Sequence, residues 1–276
     1  MTVTGTLRFF PQWLVTETGL ELPCGMRAFG TSTADLGVTF QSARQPELTT
    51  ELLALCCRTA GDAPVDRQLL LQVPIGMRTE ALMTLASLSD PSPFCWQARC
   101  ASPECGLQIE FELTLDQIVS LEDERREQQN WMTEICGTEV LLRHPTGLDQ
   151  AEWLAFPPAI QCEAMLRSII VQPSLEEMLA KGESLESLSS ALDEAMDEFD
   201  PLVGFHLSVV CPHCSGAADV SPDLAGLALE RLFRAQQALI DDVHRLATRY
   251  HWSEQQVLEL PQWRRQRYLE LIEEAS

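Results

Sequence analysis

The sequence predicts an α+β chain: two β-hairpins, a helical insertion between them and a helical C-terminal tail. Three observations predict it. Leu107 to Leu115 alternates apolar and polar side chains with period two, and a shorter alternation recurs at Phe205, Leu207 and Val209. After Pro222, apolar residues instead recur at helical spacing for more than twenty positions.

Composition bounds what such a chain can do. Its 276 residues are 45% hydrophobic and 22% charged, enough for a real core and close to the globular norm. Forty-one acidic against 19 basic side chains give a net charge of −22. That charge excludes non-specific nucleic-acid binding, which needs cations to displace counterions from phosphates, and disfavours an anionic membrane surface. Leu52 to Cys57 and Ala164 to Val171 are the longest apolar stretches, well short of the roughly 20 residues that span a bilayer. Met1 to Leu14 lacks a basic-then-apolar signal layout. A cytoplasmic setting is therefore expected, where ten cysteines are buried, metal-bound or catalytic rather than paired in disulfides.

Along the chain we divide the sequence into an N-terminal mixed region (1–65), a first hairpin unit (66–145), an acidic helical insertion (146–203), a second hairpin (204–221) and C-terminal helices (222–276). In the first region Leu7 to Val15 and Leu36 to Phe40 suggest extended segments, and Pro46 to Cys57 a helix. Leu69 to Val73 is an apolar run ended by Pro74 and suggests a strand; Thr79 to Leu88 suggests a helix. Phe94 to Arg99 pairs back on Leu107 to Leu115, whose five apolar side chains share one face. Glu139 to His144 is a further strand, Thr146 a helix start, and Ala159 to Val171 a helix behind Pro157 and Pro158.

Ser174 with Glu177 forms a capping box, and Leu185, Leu188, Leu192, Met196 and Phe199 line one helical stripe. Nine carboxylates between Ser174 and Asp200 face Lys181 alone. They lack calcium-loop spacing; a solvated face, or a docking surface for a basic partner, accounts for them. Ala217 to Val220 returns against the second alternating strand. The long helix runs from Pro222 to about Arg249, Ser253 with Gln256 caps another, and Pro261 starts a third.

Two cysteine pairs carry chemistry. Cys100 and Cys105 (C-x4-C) and Cys211 and Cys214 (C-x2-C) each sit at a hairpin tip among turn formers. Two such tips supply four thiolates to one tetrahedral zinc ion, Zn2+, and make a zinc-ribbon-like unit of two knuckles. Four thiolates around a divalent cation leave a charge of −2, and Arg99 is a candidate donor beside it. All four positions filled by protein leave no open site for hydrolysis. A redox dithiol at Cys211 and Cys214 competes with this reading, although Ser215 to Ser221 separate the motif from the next helix. An iron–sulfur cluster or plain buried thiols are further alternatives. Cys56, Cys57, Cys136 and Cys162 read as core, Cys24 stands alone, Cys95 is an alternative ligand and His213 a spacer. Phosphate-loop, nucleophile-elbow and H-E-x-x-H motifs are missing, so no catalytic residue is assigned and no enzyme is expected.

Three blocks together resemble the baseplate hub assembly proteins of contractile-tailed phages, whose relatives occur in contractile injection systems. They are Leu69 to Arg78 (LLLQVPIGMR) with Cys100, Cys105-Gly106 and the following strand; Val210 to Cys214 (VCPHC); and Val243 to Pro261 (VHRLATRYHWSEQQVLELP) running on through Arg267 to Ile272. The resemblance covers residues 69–145 and 205–273, in the same order; C-x4-C departs from the C-x2-C that many relatives carry. It implies a non-enzymatic assembly chaperone or minor structural part, built in the cytoplasm, with Cys100, Cys105, Cys211 and Cys214 as ligands and hub proteins as partners. Trp252, Trp263, Arg264, Arg265, Arg267 and Tyr268 at the C-terminus suit helix-in-groove docking, or packing on their own domain. A transcription-linked zinc ribbon would need basic hairpin faces, which Glu110 and Glu112 contradict.

Overall fold

Ile75–Ser89 (α4) buries ten of its 15 residues, the polar Arg78, Thr79 and Glu80 as well as Met77, Leu82, Met83 and Leu85. A helix buried on so much of its surface sits inside, with other elements around it. The computed structural model describes residues 2–4, 7, 10–14, 19, 21–41, 44–120 and 127–274 and arranges them in this way. It is a mixed α/β fold with small antiparallel sheets.

Before α4 come strands β1 (Thr2–Thr4) and β2 (Gly25–Arg27) and helices α1 (Thr33–Leu36) and α2 (Gln45–Cys56). Strand β3 (Cys57–Arg58) and helix α3 (Arg67–Gln72) follow. β1, β2 and β3 form one antiparallel sheet in that order. The first hairpin is β4 (Phe94–Arg99) with β5 (Gln108–Leu113), followed by α5 (Leu115–Val119). Strands β6 (Asn130–Ile135), β7 (Thr138–Arg143) and β8 (Ile170–Gln172) make a second three-stranded sheet. With α6 (Gly147–Trp153), α7 (Pro158–Ile169), α8 (Leu175–Ala180) and α9 (Leu185–Phe199) this sheet encloses its own core around Val140, Leu166, Met178 and Leu188. The second hairpin, β9 (Leu207–Val210) with β10 (Ala217–Val220), leads into α10 (Leu224–Tyr250), α11 (Glu254–Leu258) and α12 (Gln262–Glu274).

The long helix α10 packs on α4. Leu224, Ala228 and Leu232 enter the same core as Leu69, Leu82 and Leu85. Farther along, Gln236 donates from Nε2 to the carbonyls of Asp35 and Val38, both at 2.9 Å, which fixes the helix against α1. Asp35 in turn accepts two bonds from the Arg27 guanidinium and those of the Gly30, Thr31 and Ser32 amides.

Several sequence expectations change. Leu69 to Gln72 is helical rather than extended, and only Val73 after it is extended, because Asp66 accepts from the Gln68 amide at 2.8 Å and caps α3; a short apolar run alone does not distinguish the two states. Leu36 to Phe40 is no strand: Ser32 and Asp35 close a capping box on α1, and Leu36 belongs to that helix. In the stretch Leu7 to Val15 the Phe10 amide bonds the Leu7 carbonyl and the Leu14 amide that of Pro11, a turn-like rather than strand-like pattern; Arg8, Phe9 and Val15 lie outside the described residues. The first hairpin's second strand is shorter than its alternation. Thr114 caps α5 with Gln117, Leu115 joins that helix and Leu107 is exposed, so three apolar residues rather than five share the inner face. Finally, the helix from Ala159 stops at Ile169, and Ile170 and Val171 enter β8.

Two glycines seat the second core on the first. Arg78, buried in α4, donates to the carbonyls of Leu70 and Pro46 and to Thr50 Oγ1, and burial pushes its guanidinium down to about 10. A Cβ at Gly147 would stand 2.6 Å from its Cζ, and one at Gly76 1.8 Å from Asp200 Oδ1. Asp200 is engaged by His144 at 3.2 Å, and the His144 ring stacks on Phe199 with centroids 4.0 Å apart. Gly147→Ala is expected to destabilise the fold by about 2 kcal/mol, since Arg78 has three bonds holding it in place. Urea unfolding checks this, and an unchanged midpoint would show that Arg78 yields freely.

Candidate metal centre

Both hairpins end in the same local geometry. In the first, the Cys100 amide donates to the Leu107 carbonyl at 2.9 Å; in the second, the Cys211 amide donates to the Gly216 carbonyl at 2.9 Å. Beyond these bonds each chain turns tightly. The Cys105 and Gly106 amides both reach the Ser102 carbonyl at 3.0 Å, and the Ser215 amide reaches that of Cys211 at 2.8 Å. The turns close through left-handed backbone at Gly106 (φ 56°) and Ser215 (φ 58°), a conformation that glycine adopts without cost and serine adopts under some strain.

The two tips meet. Cys100 Sγ lies 3.6 Å from Cys214 Sγ and Cys105 Sγ lies 3.9 Å from Cys211 Sγ. All four sulfurs fall within 4.8 Å of one another and form a possible metal site. Bonds of about 2.3 Å to a central ion place tetrahedral sulfurs roughly 3.8 Å apart, so the donor set fits one ion, whereas a disulfide would need about 2.05 Å. Cys100 and Cys211 are buried, Cys105 is half-buried and Cys214 is exposed. Ile109 and Phe111 of β5 pack beneath them.

The surroundings decide which thiols ionise. Burial opposes the Cys211 thiolate, but the His213 and Cys214 amides and the Cys100 and Cys214 thiols donate to it and bring it down to about 6. At Cys100 the Ser102 amide favours the thiolate, yet burial and the other three sulfurs push the thiol up to about 12. At Cys105 the Leu107 amide and the Cys100 thiol favour the thiolate, yet burial and the Cys211 and Cys214 sulfurs raise the thiol. The cluster thus holds one thiolate readily and resists further charge until a cation arrives. These backbone donors were not singled out by sequence reasoning, though the turn formers around each pair are their signal. Arg99, expected as a donor, is exposed and its side chain bonds no sulfur among the described contacts.

The remaining cysteines stay apart. Cys56 and Cys57 are core, as expected, and burial drives the Cys56 thiol up to about 12. Cys136 and Cys162, also expected as core, are exposed. Cys136 (φ 50°) and Gly137 (φ 72°) form the tight turn between β6 and β7, where apolar neighbours in sequence point elsewhere, and Cys162 lies on the outer side of α7. Cys95 is exposed and outside the cluster, as is His213.

The C-terminal residues expected to bind a partner divide. Trp252 and Tyr268 pack with Tyr250 in a small cluster around Leu246 and Val257. Arg264 bonds the Tyr268 hydroxyl, Arg267 pairs with Glu270 and Glu274, and Arg265 lies half-buried 4.0 Å from Asp242. Trp263 is open, at 73% exposure.

Comparison with known proteins adds no relative: no family model, no curated protein and no solved structure matches the chain. No helix among the described residues is long and apolar enough to cross a membrane.

Filling the site at neutral pH must displace the protons of at least Cys100 and Cys105. Affinity for Co2+ is expected to fall as pH is lowered from 8 to 7 by about two log units or more, one per displaced proton. Below about 6, where Cys211 also takes up a proton, the fall steepens. Titration followed by thiolate-to-cobalt absorption checks this, and a dependence shallower than one log unit per pH unit would mean that the thiols are already ionised.

Proposed function

We propose that this protein is a non-enzymatic assembly chaperone or minor structural component of the baseplate hub of a contractile tail or injection system. In this reading Cys100, Cys105, Cys211 and Cys214 hold a structural zinc ion and make the two hairpins a zinc-ribbon-like unit. One observation carries it. Four cysteines that the family resemblance marks as ligands, from hairpins with 105 residues between the pairs, lie within 4.8 Å of one another. Four sulfurs at near-tetrahedral spacing favour zinc, and a multi-iron cluster needs its ligands farther apart. A metal with four protein ligands offers no open position, which fits a structural role. The exposed Trp263 on the last helix supports contact with hub proteins, since a lone tryptophan in water is an anchor without a pocket.

A thiol-disulfide oxidoreductase working through Cys211 and Cys214 is the second reading, favoured by the low Cys211 value and the exposure of Cys214. Against it, each sulfur lies beside a sulfur of the other hairpin, and α10 starts only at Leu224.

Elemental analysis with thiol counting on protein purified without added metal separates the two. One zinc per chain with four thiols protected until chelation is expected; metal-free protein with two fast-reacting thiols would support the oxidoreductase. Cys211→Ser is expected to lose the zinc and to speed amide exchange in residues 94–113 and 207–220, while α4 and α10 stay protected. Co-expression with hub components of a contractile tail should then give a stoichiometric complex, and its absence across them would overturn the assembly role.

A further inference from the structure

A cleft of about 480 Å³ runs between the two hairpins, lined by β4 on one side and by β10 with the start of α10 on the other. Among the described residues each hairpin is a sheet of two strands, so β4 and β10 each have one edge that no described strand pairs. The hydrogen-bond phase shows what those edges offer. In an antiparallel pair, backbone groups alternate between facing the partner and facing away. The Cys100 amide bonds across to Leu107, so by register Ala98 and Trp96 also face β5, and the backbone groups of Gln97 and Arg99 face away. In the second hairpin the Cys211 to Gly216 bond sets the phase that turns the Asp219 backbone away from β9. Gln97, Arg99 and Asp219 all line the cleft. Their free amides and carbonyls therefore stand on both walls.

We propose that this cleft receives an extended, basic segment of a partner protein, which adds a strand between β4 and β10. An unpaired edge is a template for another backbone, and proteins cover such edges unless they use them. Charge selects the occupant: Asp219 and Asp223 line the cleft against Arg99, while Glu230 is paired with Arg234, on a chain of net charge −22. Trp96 also lines the cleft, its ring against Phe111 with centroids 5.5 Å apart, and offers the guest an apolar wall. At one end the cleft meets the stripe Asp223, Gly226 and Glu230 of α10, which it shares with a second, apolar cavity of about 330 Å³. Gly226 has no side chain to raise that ridge, and Phe40, Leu48, Leu229 and Phe233 line the far side. A guest crossing at Gly226 places one large apolar side chain there.

The site goes beyond the zinc and assembly reading and requires neither the identity of the metal nor a hub partner. The test uses the full chain and a fluorescein-labelled ten-residue peptide alternating lysine with threonine and valine and carrying one phenylalanine. By fluorescence anisotropy this peptide is expected to bind at least tenfold more tightly than its glutamate counterpart. N-methylation of alternate backbone amides should abolish binding, because it removes the ladder and leaves the side chains. Gln97→Pro deletes an outward amide without touching the β4–β5 ladder and should weaken binding at least tenfold. Should Gln97→Pro fail to fold, the N-methylated peptide on the native chain decides alone. Equal binding of the methylated peptide, no binding by any peptide of the set, or a dimer in sedimentation that Gln97→Pro dissolves would each overturn the proposal, the last by showing that the edges pair with a second copy.

Discussion

The packing of α4 against α10 is the constraint from which the rest follows. These helices come from opposite halves of the sequence, and each is joined to a hairpin by only a few residues: α4 ends at Ser89 and β4 starts at Phe94, while β10 ends at Val220 and α10 starts at Leu224. Docking the helices therefore sets the two hairpins side by side. Phe94 and Leu113 at the base of the first hairpin and Phe205 near the start of the second enter the same core, so the strands leave it from adjacent points. Bringing two sites 105 residues apart together costs about 4 kcal/mol plus a constant for a flexible loop. The packing of the helix pair, which uses no sulfur, offsets part of that cost. The cysteine cluster then acts on tips that are already close.

The intervening residues behave accordingly. From Asn130 to Phe199 the chain builds its own sheet and core, so the long connection is folded rather than slack. It is attached to α4 by polar groups and missing side chains: Arg78 lies against Gly147 and Asp200 against Gly76, with His144 holding Asp200. Buried cations are costly unless their donors are satisfied. Arg78 meets that condition with backbone carbonyls and a threonine hydroxyl, not with a carboxylate, so it ties α4 to the backbone of α2 and α3. In a chain this acidic, the buried charges fix the position of elements, while most carboxylates remain in water where repulsion is screened.

Legibility in the sequence followed the strength of local signals. The pairing of the first hairpin, the helix start at Thr146, the caps at Ser174 and Ser253 and the span of α10 were readable because alternation, caps and helical stripes are short-range. The four clustered cysteines were readable for the same reason: paired spacing at hairpin tips is local, even though their meeting is not. The N-terminal sheet was not, because β1 to β3 have two or three residues each and gain their order only from neighbours. β6 was missed since Asn130 to Ile135 mixes polar, aromatic and sulfur-containing side chains without strong alternation, and it is held by its pairing with β7. Leu69 to Val73 shows the opposite failure, where a clear apolar run was misread and a cap four residues earlier than Leu70 decided its state.

Two anchors also explain why the free edges of β4 and β10 stay unpaired. Left to themselves, two short hairpins side by side would gain hydrogen bonds by merging into one sheet, and two-stranded sheets are marginal alone. Here the core holds the hairpins at one end and the four sulfurs meet at the other, with the first residues of α10 lining the cleft beside β10. Strand separation is thereby set by packing rather than by pairing. A cleft whose walls are held at both ends loses little freedom when a strand enters, and that preorganisation is what turns an edge from an aggregation hazard into a selective binding surface.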